Sequence, residues 1–103
     1  MSKKTKKAKR YSVQWFINKF KAIPRNRWTT GALKRDDGAK CLLGHCGVQR
    51  DYNPTRQAIL LHRILFPKAP RYLNSDLYDV NDRVADPKAA VIRRLKTKAK
   101  KAA

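Results

Sequence analysis

NPTRQAILLHRILF, residues 53–66, is the stretch that predicts how this chain folds. Asn53 followed by Pro54 is a typical helix start, with an N-cap side chain and a proline at the first helical position. Apolar residues then occupy most of the helix circumference and leave only Arg56 and Arg63 on a narrow polar edge. We therefore expect a helix from Pro54 to the end of this stretch, and we expect it to be the central, most buried helix of the fold.

Three further helices are predicted on either side of that stretch. Ser12 is a suitable N-cap, and apolar residues at helical spacing follow it until Pro24 ends the helix. Residues 75–84 form a short helix, and Asp86 followed by Pro87 repeats the cap-plus-proline start for a last one. The apolar residues expected on the buried faces of these three helices are Val13, Phe16, Ile17, Phe20, Ile23, Leu77, Tyr78, Val80, Val91, Ile92 and Leu95.

A β-hairpin is predicted between the first two helices. The strand-like runs at residues 28–33 and 39–43 flank Asp37-Gly38, a typical hairpin turn. A lone hairpin is marginally stable, so helices are expected to hold it. The predicted fold class is α+β and helix-dominated, with about four short helices, one β-hairpin and basic flexible termini. The expected domain organisation is a disordered basic arm (1–10), a single small globular domain (11–95) and a basic C-terminal extension that continues the last helix (96–103).

Three short patterns carry a resemblance to other proteins. They are Trp28-Thr-Thr-Gly31, Cys41-Leu-Leu-Gly44 and the late pair Asn81-Asp82. Together they resemble a group of small uncharacterised proteins common in phages and bacteria. The resemblance implies a phage or mobile-element origin and brings no activity with it, and the basic ends of this chain are not part of the shared pattern. By their residue types alone, Asn81 and Asp82 are interpreted as local turn or cap chemistry.

Positive charge dominates the composition. The chain of 103 residues has 26 lysines and arginines against seven acidic residues, all aspartates, and a formal net charge of +19. Twelve of those cations lie in the two ends, which hold no acidic residue. A charge of this sign and size attracts polyanions, of which nucleic acid is the commonest in a cell. The sequence therefore predicts a non-enzymatic nucleic-acid-binding protein, DNA or RNA being the partner.

The predicted binding residues fall into three groups. The N-terminal arm and the last helix are expected to grip phosphates, and lysine-rich composition suits such diffuse contact better than base reading. The arm supplies Lys3, Lys4, Lys6, Lys7, Lys9 and Arg10; the last helix supplies Arg93, Arg94, Lys96, Lys98, Lys100 and Lys101; and Arg25, Arg27, Lys34, Arg35 and Lys40 extend the surface. Trp15 is displaced from its helix's apolar face and is a candidate for stacking on unpaired bases, although packing against Tyr11 or the hairpin is the favoured interpretation.

Other partners compete with nucleic acid in explaining the charge. An interaction protein, encoded by a phage, could use it to occupy an acidic or nucleic-acid-binding surface of a host enzyme and inhibit that enzyme. A ribosome-associated protein also combines a small domain with basic extensions, and lysine-rich ends can serve solubility alone. A membrane surface is disfavoured because the last helix has a narrow apolar stripe without aromatic residues. No apolar run approaches the roughly 20 residues that span a bilayer, so a soluble, cytoplasmic protein is expected, in the host cytoplasm if a phage encodes it.

No metal, cofactor or catalytic residue is predicted. Cys41, His45 and Cys46 do not have the Cys-x-x-Cys spacing of a structural zinc site, and His62 is surrounded in sequence by apolar residues. The four aspartates from Asp76 to Asp86 lack a partner base or a glycine-rich phosphate loop, and pairing with Arg63, Arg71 or Arg83 is their expected role. The alternative role of these aspartates is to keep DNA from binding on their side of the molecule.

Overall fold

Helices and loops make up the part of the protein that the structure, a computed structural model, describes: residues 9–31, 33–49 and 53–102. The first eight residues of the predicted basic arm lie outside these ranges. The helices are α1 (Val13–Lys21), α2 (Leu42–His45), α3 (Arg56–Leu65), α4 (Asn74–Asp82) and α5 (Pro87–Ala102), and a 3₁₀ turn (Arg25–Arg27) follows α1.

The first helix forms as its sequence predicts. The hydroxyl of Ser12 accepts a hydrogen bond from the backbone N–H of Trp15 at 3.2 Å, which satisfies one of the free donors at the start of α1. Phe16, Ile17 and Phe20 are buried on one face of the helix. The N-cap and the buried stripe are therefore both confirmed.

Helix α3 begins later than predicted, and its cap is a different residue. Thr55, not Asn53, is the N-cap: its hydroxyl accepts from the backbone N–H of Ala58 at 3.1 Å. The same hydroxyl donates to the carbonyl of Cys46 at 2.6 Å, so a contact with a distant segment fixes where the helix starts. The expectation that α3 is the most buried helix is also wrong: four of its ten residues are buried on one face, against three of the four residues of α2. That face consists of Ala58, Leu61, His62 and Leu65.

The predicted β-hairpin is wrong, and with it the α+β fold class. Within the described residues there is no β-strand; two isolated β-bridges join Lys40 to Trp28 and to Lys34. After Cys41 the chain enters α2, which buries Leu42, Leu43 and Gly44, and Cys46 beyond it is also buried. A strand would have sent neighbouring side chains to opposite faces, whereas one helical turn buries them together. The described residues therefore form a helical fold joined by loops.

Helix α5 is the element on which the others assemble. It begins at Asp86-Pro87 as predicted, with the Asp86 carboxylate accepting from the backbone N–H of Ala89 at 3.1 Å. It packs against α1, α3 and α4, and its fully buried Val91 and Leu95 join the same hydrophobic core as side chains from all of them. In α4 the expected core residues Leu77 and Val80 are buried, and Tyr78 is partly buried.

Two contacts show that α1 and α5 run in opposite directions. The ammonium of Lys88 donates to the carbonyl of Lys21 at 3.3 Å, and Arg25 pairs with Asp86 at 2.7 Å, so the end of α1 lies beside the start of α5. The two helices are extensively packed against each other. At 1.5 Å per residue, α1 is about 13 Å long and α5 about 24 Å. The later turns of α5 therefore extend past the beginning of α1.

Candidate nucleic-acid interface

The cations of α5 do not all face the same way. Arg93, Lys96 and Lys100 are exposed and lie within about 60° of one another on the helix surface, opposite the buried Val91 and Leu95. This arrangement matches the predicted basic face opposite the apolar stripe.

Arg94 and Lys98 lie on the flank of α5, one turn apart. Lys98 is partly buried and lines a groove together with Lys68 and Arg71, which belong to the loop between α3 and α4. Asp76, near the start of α4, lines the same groove, so the start of α4 lies beside the later half of α5. Lys101 is part of the α5 backbone, and its side chain lies outside the described atoms.

The chain brings its N-terminal cations toward the same end of the molecule. Because α1 runs antiparallel to α5, Lys9 and Arg10, which precede α1, lie toward the later turns of α5. A turn connects Lys9 and Arg10 to α1: the backbone N–H of Ser12 donates to the carbonyl of Lys9 at 2.9 Å, and Tyr11 has a positive φ of 47°. We call this region the basic end. It comprises Lys9, Arg10, Lys68, Arg71, Arg93, Arg94, Lys96, Lys98 and Lys100.

Four aspartates away from the basic end have partners of their own. Asp86 pairs with Arg25 at 2.7 Å, and Asp79 pairs with Arg83 at 3.5 Å within α4. Asp37 pairs with Arg35 at 2.7 Å. Asp82 accepts from the backbone N–H of Gly31 at 3.2 Å. Of the expected arginine partners for the α4 aspartates, only Arg83 is used.

Asp76 is the acidic residue that approaches the basic end, and it has a partner of its own. Its carboxylate lies 2.8 Å from Nε2 of His62, which is 3% exposed and packs against the rings of Phe66 and Tyr72. No cation of the basic end lies within 4 Å of an acidic group of the described residues. Their charge is therefore not neutralised by the part of the chain that the structure describes.

Hydrogen bonds hold two of these carboxylates in the ionised form. A backbone N–H bond from Ala89, followed by the bond from Arg25, lowers the pKa of Asp86 below its ordinary value. A backbone N–H bond from Ala39, followed by the bond from Arg35, lowers the pKa of Asp37 in the same way. Each carboxylate is thus committed to a local structural contact.

The five predicted residues between α1 and α2 are placed differently from those of α5. Arg25 and Arg35 are ion-paired, and Arg27 donates to the carbonyls of Asp37 and Gly38 at 3.2 and 3.4 Å. Lys34 is exposed and Lys40 is partly buried. Arg25 lies beside the start of α5, at the opposite end of that helix from Lys98 and Lys100. The structure therefore does not join all the predicted cations into one surface.

Trp15 packs against its neighbours. Its ring meets Tyr11 edge to face at 4.9 Å and Phe16 at 5.1 Å, and the ammonium of Lys19 lies 5.4 Å from the ring centroid. Lys19 is fixed by a hydrogen bond to Gln57 at 2.5 Å, and burial lowers its pKa. The expected packing against Tyr11 is confirmed, and one approach to the indole is covered by Lys19.

The cysteines and histidines form no metal cluster among the described residues. Cys41 and Cys46 are buried free thiols, and burial raises the pKa of both, that of Cys46 to about 12. Such thiols stay protonated at neutral pH and are poor nucleophiles. The Nε2–H of His45 donates a hydrogen bond to the Arg27 carbonyl at 3.0 Å, and burial lowers the pKa of His45.

Sequence reasoning missed two cations of the basic end, Lys68 and Arg71. They lie between Pro67 and Tyr72, and a proline-bounded loop with two basic residues was the available signal. It also missed the pairing of His62 with Asp76, for which no spacing rule exists because the two side chains belong to different helices and meet only in the folded chain.

Comparison with known proteins gives no relative: no family model, no curated protein and no solved structure matches the chain. Within the described residues, no helix has both the length and the apolar character needed to cross a membrane.

Proposed function

We propose that this protein binds nucleic acid, without catalysis, through the phosphates that the basic end would contact. One observation carries the proposal. The cations of the basic end have no acidic partner among the described residues: four aspartates elsewhere are engaged in ion pairs or hydrogen bonds, and Asp76, beside the basic end, is bonded to His62. When cations without acidic partners bind a polyanion, no ion pair has to be broken first, so the free energy of binding is not reduced by that cost.

Helix α5 would supply the rigid part of the contact. Its exposed Arg93, Lys96 and Lys100 follow one another at intervals of three and four residues, so they form one row along the helix. The predicted binding residues Lys3, Lys4, Lys6, Lys7 and Lys101 are part of the same proposal, as contacts with further phosphates. Lysine contacts act as point charges, so this binding is expected to depend on salt and to discriminate little between sequences.

The test compares two pairs of charge-neutralising substitutions. Binding of a fluorescein-labelled DNA duplex is measured by anisotropy at several salt concentrations for the full chain. Each phosphate contact contributes about 0.9 to the slope of log affinity against log salt. Lys96→Gln with Lys100→Gln should therefore reduce the magnitude of the slope by about 1.8.

The matched control is Lys21→Gln with Lys88→Gln, which removes the same charge where α1 ends and α5 begins. This pair should leave the slope nearly unchanged. Equal reductions for both pairs would contradict a localised interface. Absence of binding to DNA or RNA at low salt would contradict the proposed function and favour an acidic protein as the partner.

A further inference from the structure

The groove at the basic end differs chemically from the rest of that surface. Its walls come from the loop between α3 and α4 and from the flank of α5. Its apolar side chains include Phe66, Pro70 and Leu73, and its cations are Lys68, Arg71 and Lys98. A surface that only attracts phosphates needs no apolar lining, so the combination indicates a ligand with both an anionic and an apolar part.

The loop that forms the groove is held in shape before any ligand arrives. The backbone N–H of Phe66 donates to the carbonyl of His62 at 2.7 Å, and that of Ala69 donates to the carbonyl of Phe66 at 3.1 Å. Pro67 and Pro70 restrict the backbone further. The ring of His62 packs against Phe66, and the His62–Asp76 hydrogen bond connects α3 to α4 next to the groove. A preformed loop loses little conformational entropy on binding.

The electrostatics of the groove favour an anion. Asp76 is its acidic residue, and its carboxylate is already bonded to His62 at 2.8 Å. Lys68, Arg71 and Lys98 have no ion pair among the described residues. A phosphate in the groove would therefore meet three cations and one carboxylate that is directed toward a histidine.

The apolar part of the groove is exposed to solvent. Leu73 is 43% exposed, and it and Val84 are the exposed large hydrophobic residues of the described chain. An unpaired base presents an apolar face that packs on aromatic and aliphatic side chains, whereas a duplex hides the faces of its bases in its own stack. From charge complementarity and this exposed apolar surface we infer that the groove binds an unpaired nucleotide of a single strand, with the base on Leu73 and Phe66 and the phosphate on Arg71 and Lys98.

This inference rests on the proposed function, and the test separates the two. Anisotropy titrations of the full chain compare a labelled twelve-nucleotide thymidine strand with an abasic strand of the same length. The two strands carry equal numbers of phosphates and differ only in their bases. The thymidine strand should bind about five-fold more tightly or better, as expected for stacking of at least one base.

Two serine substitutions test the placement of the base. Leu73→Ser should reduce the affinity for the thymidine strand to that for the abasic strand and leave abasic binding unchanged. Val84→Ser removes a comparably exposed side chain (38%) that does not line the groove, and it should keep the difference between the strands. Circular dichroism of both variants checks that they remain folded.

Each other result has a distinct meaning. Equal binding of the thymidine and abasic strands would overturn the groove inference and leave the proposed function standing. Failure of both strands and of duplex DNA and RNA at low salt would overturn both. A peptide of alternating aspartate and phenylalanine could bind more tightly than the thymidine strand and lose that binding in Leu73→Ser. This result would assign the groove to an acidic protein partner and overturn the inference that it binds a nucleotide.

Discussion

Asn81 connects the end of α4 to two backbone segments that lie far from it in the sequence. It is fully buried, its Oδ1 accepts from the backbone N–H of Leu42 at 3.0 Å, and its Nδ2 donates to the carbonyl of Thr29 at 2.9 Å. The second donor hydrogen reaches the carboxylate of Asp82 at 2.7 Å, which in turn accepts from Gly31 N–H. The amide thus takes the place that an N-cap side chain would fill for α2, whose own cap position has no side-chain hydrogen bond.

Substituting Asn81 should therefore destabilise the folded protein. Asn81→Ala leaves a buried N–H of Leu42 and a buried carbonyl of Thr29 without partners, and we expect a loss of about 2–4 kcal/mol in the free energy of unfolding. Urea denaturation followed by circular dichroism measures it. Asn26→Ala, at an exposed site in the 3₁₀ turn, is the control and should change stability by less than about 0.5 kcal/mol. Similar midpoints for the two variants would show that Asn81 has no special role.

From its sequence, Asn81-Asp82 was interpreted as local turn or cap chemistry, and that interpretation is wrong. Its hydrogen bonds reach backbone groups 39 and 52 residues away. The local sequence around an asparagine at the end of a helix is the same whether its amide contacts its own turn or a remote loop. Only the packing of α2 and α4 against each other decides between these alternatives.

At the level of elements, the start of α3 depends on a contact outside the helix. Thr55 caps the helix and also donates to the carbonyl of Cys46, so one hydroxyl joins α3 to the segment after α2. Asn53-Pro54 has the stronger sequence signal for a helix start, yet both residues precede the helix. Thr55 is therefore the N-cap because its hydroxyl also bonds to Cys46, a contact that the local sequence pattern does not predict.

Removing that hydroxyl while keeping the shape of the side chain tests its role. Thr55→Val loses both hydrogen bonds and should lower the free energy of unfolding by about 1–2 kcal/mol. Thermal or urea unfolding of the variant measures the change. Thr97→Val in α5 removes one exposed hydroxyl that donates to the carbonyl of Arg93 at 3.1 Å, and it should change stability by less than about 0.5 kcal/mol. An effect of Thr55→Val as small as this control would contradict a joint capping role.

At the scale of the whole molecule, charge is distributed unevenly. The antiparallel packing of α1 and α4 against α5 places ion-paired residues near the start of α5 and unpaired cations toward its later turns. Like charges held close together repel one another and destabilise the folded state, and dissolved salt screens that repulsion. The free protein should therefore be more stable as salt rises.

We expect the thermal midpoint to increase by about 4–8 °C between 20 mM and 500 mM sodium chloride, equivalent to roughly 1 kcal/mol of screened repulsion. Circular dichroism melting curves measure this change. Lys96→Gln with Lys100→Gln should raise the midpoint at low salt and reduce its dependence on salt, whereas Lys21→Gln with Lys88→Gln should have a smaller effect. A midpoint that is constant or falls with salt would show that the cations of the basic end do not repel one another appreciably.

Local sequence was sufficient to predict the helices that have strong periodicity and caps, and composition was sufficient to give the sign of the charge. Ser12 and Asp86 cap α1 and α5 as predicted, since capping depends on residues three positions apart. The first half of α2, Leu42 and Leu43, was predicted as the end of a strand because a run of three apolar residues fits either element, and burial of neighbouring side chains favoured one helical turn. Tertiary structure alone decided which cations lie together, because the contacts of Asp76 with His62 and of Lys98 with the α3–α4 loop form only when α5 packs against its neighbours.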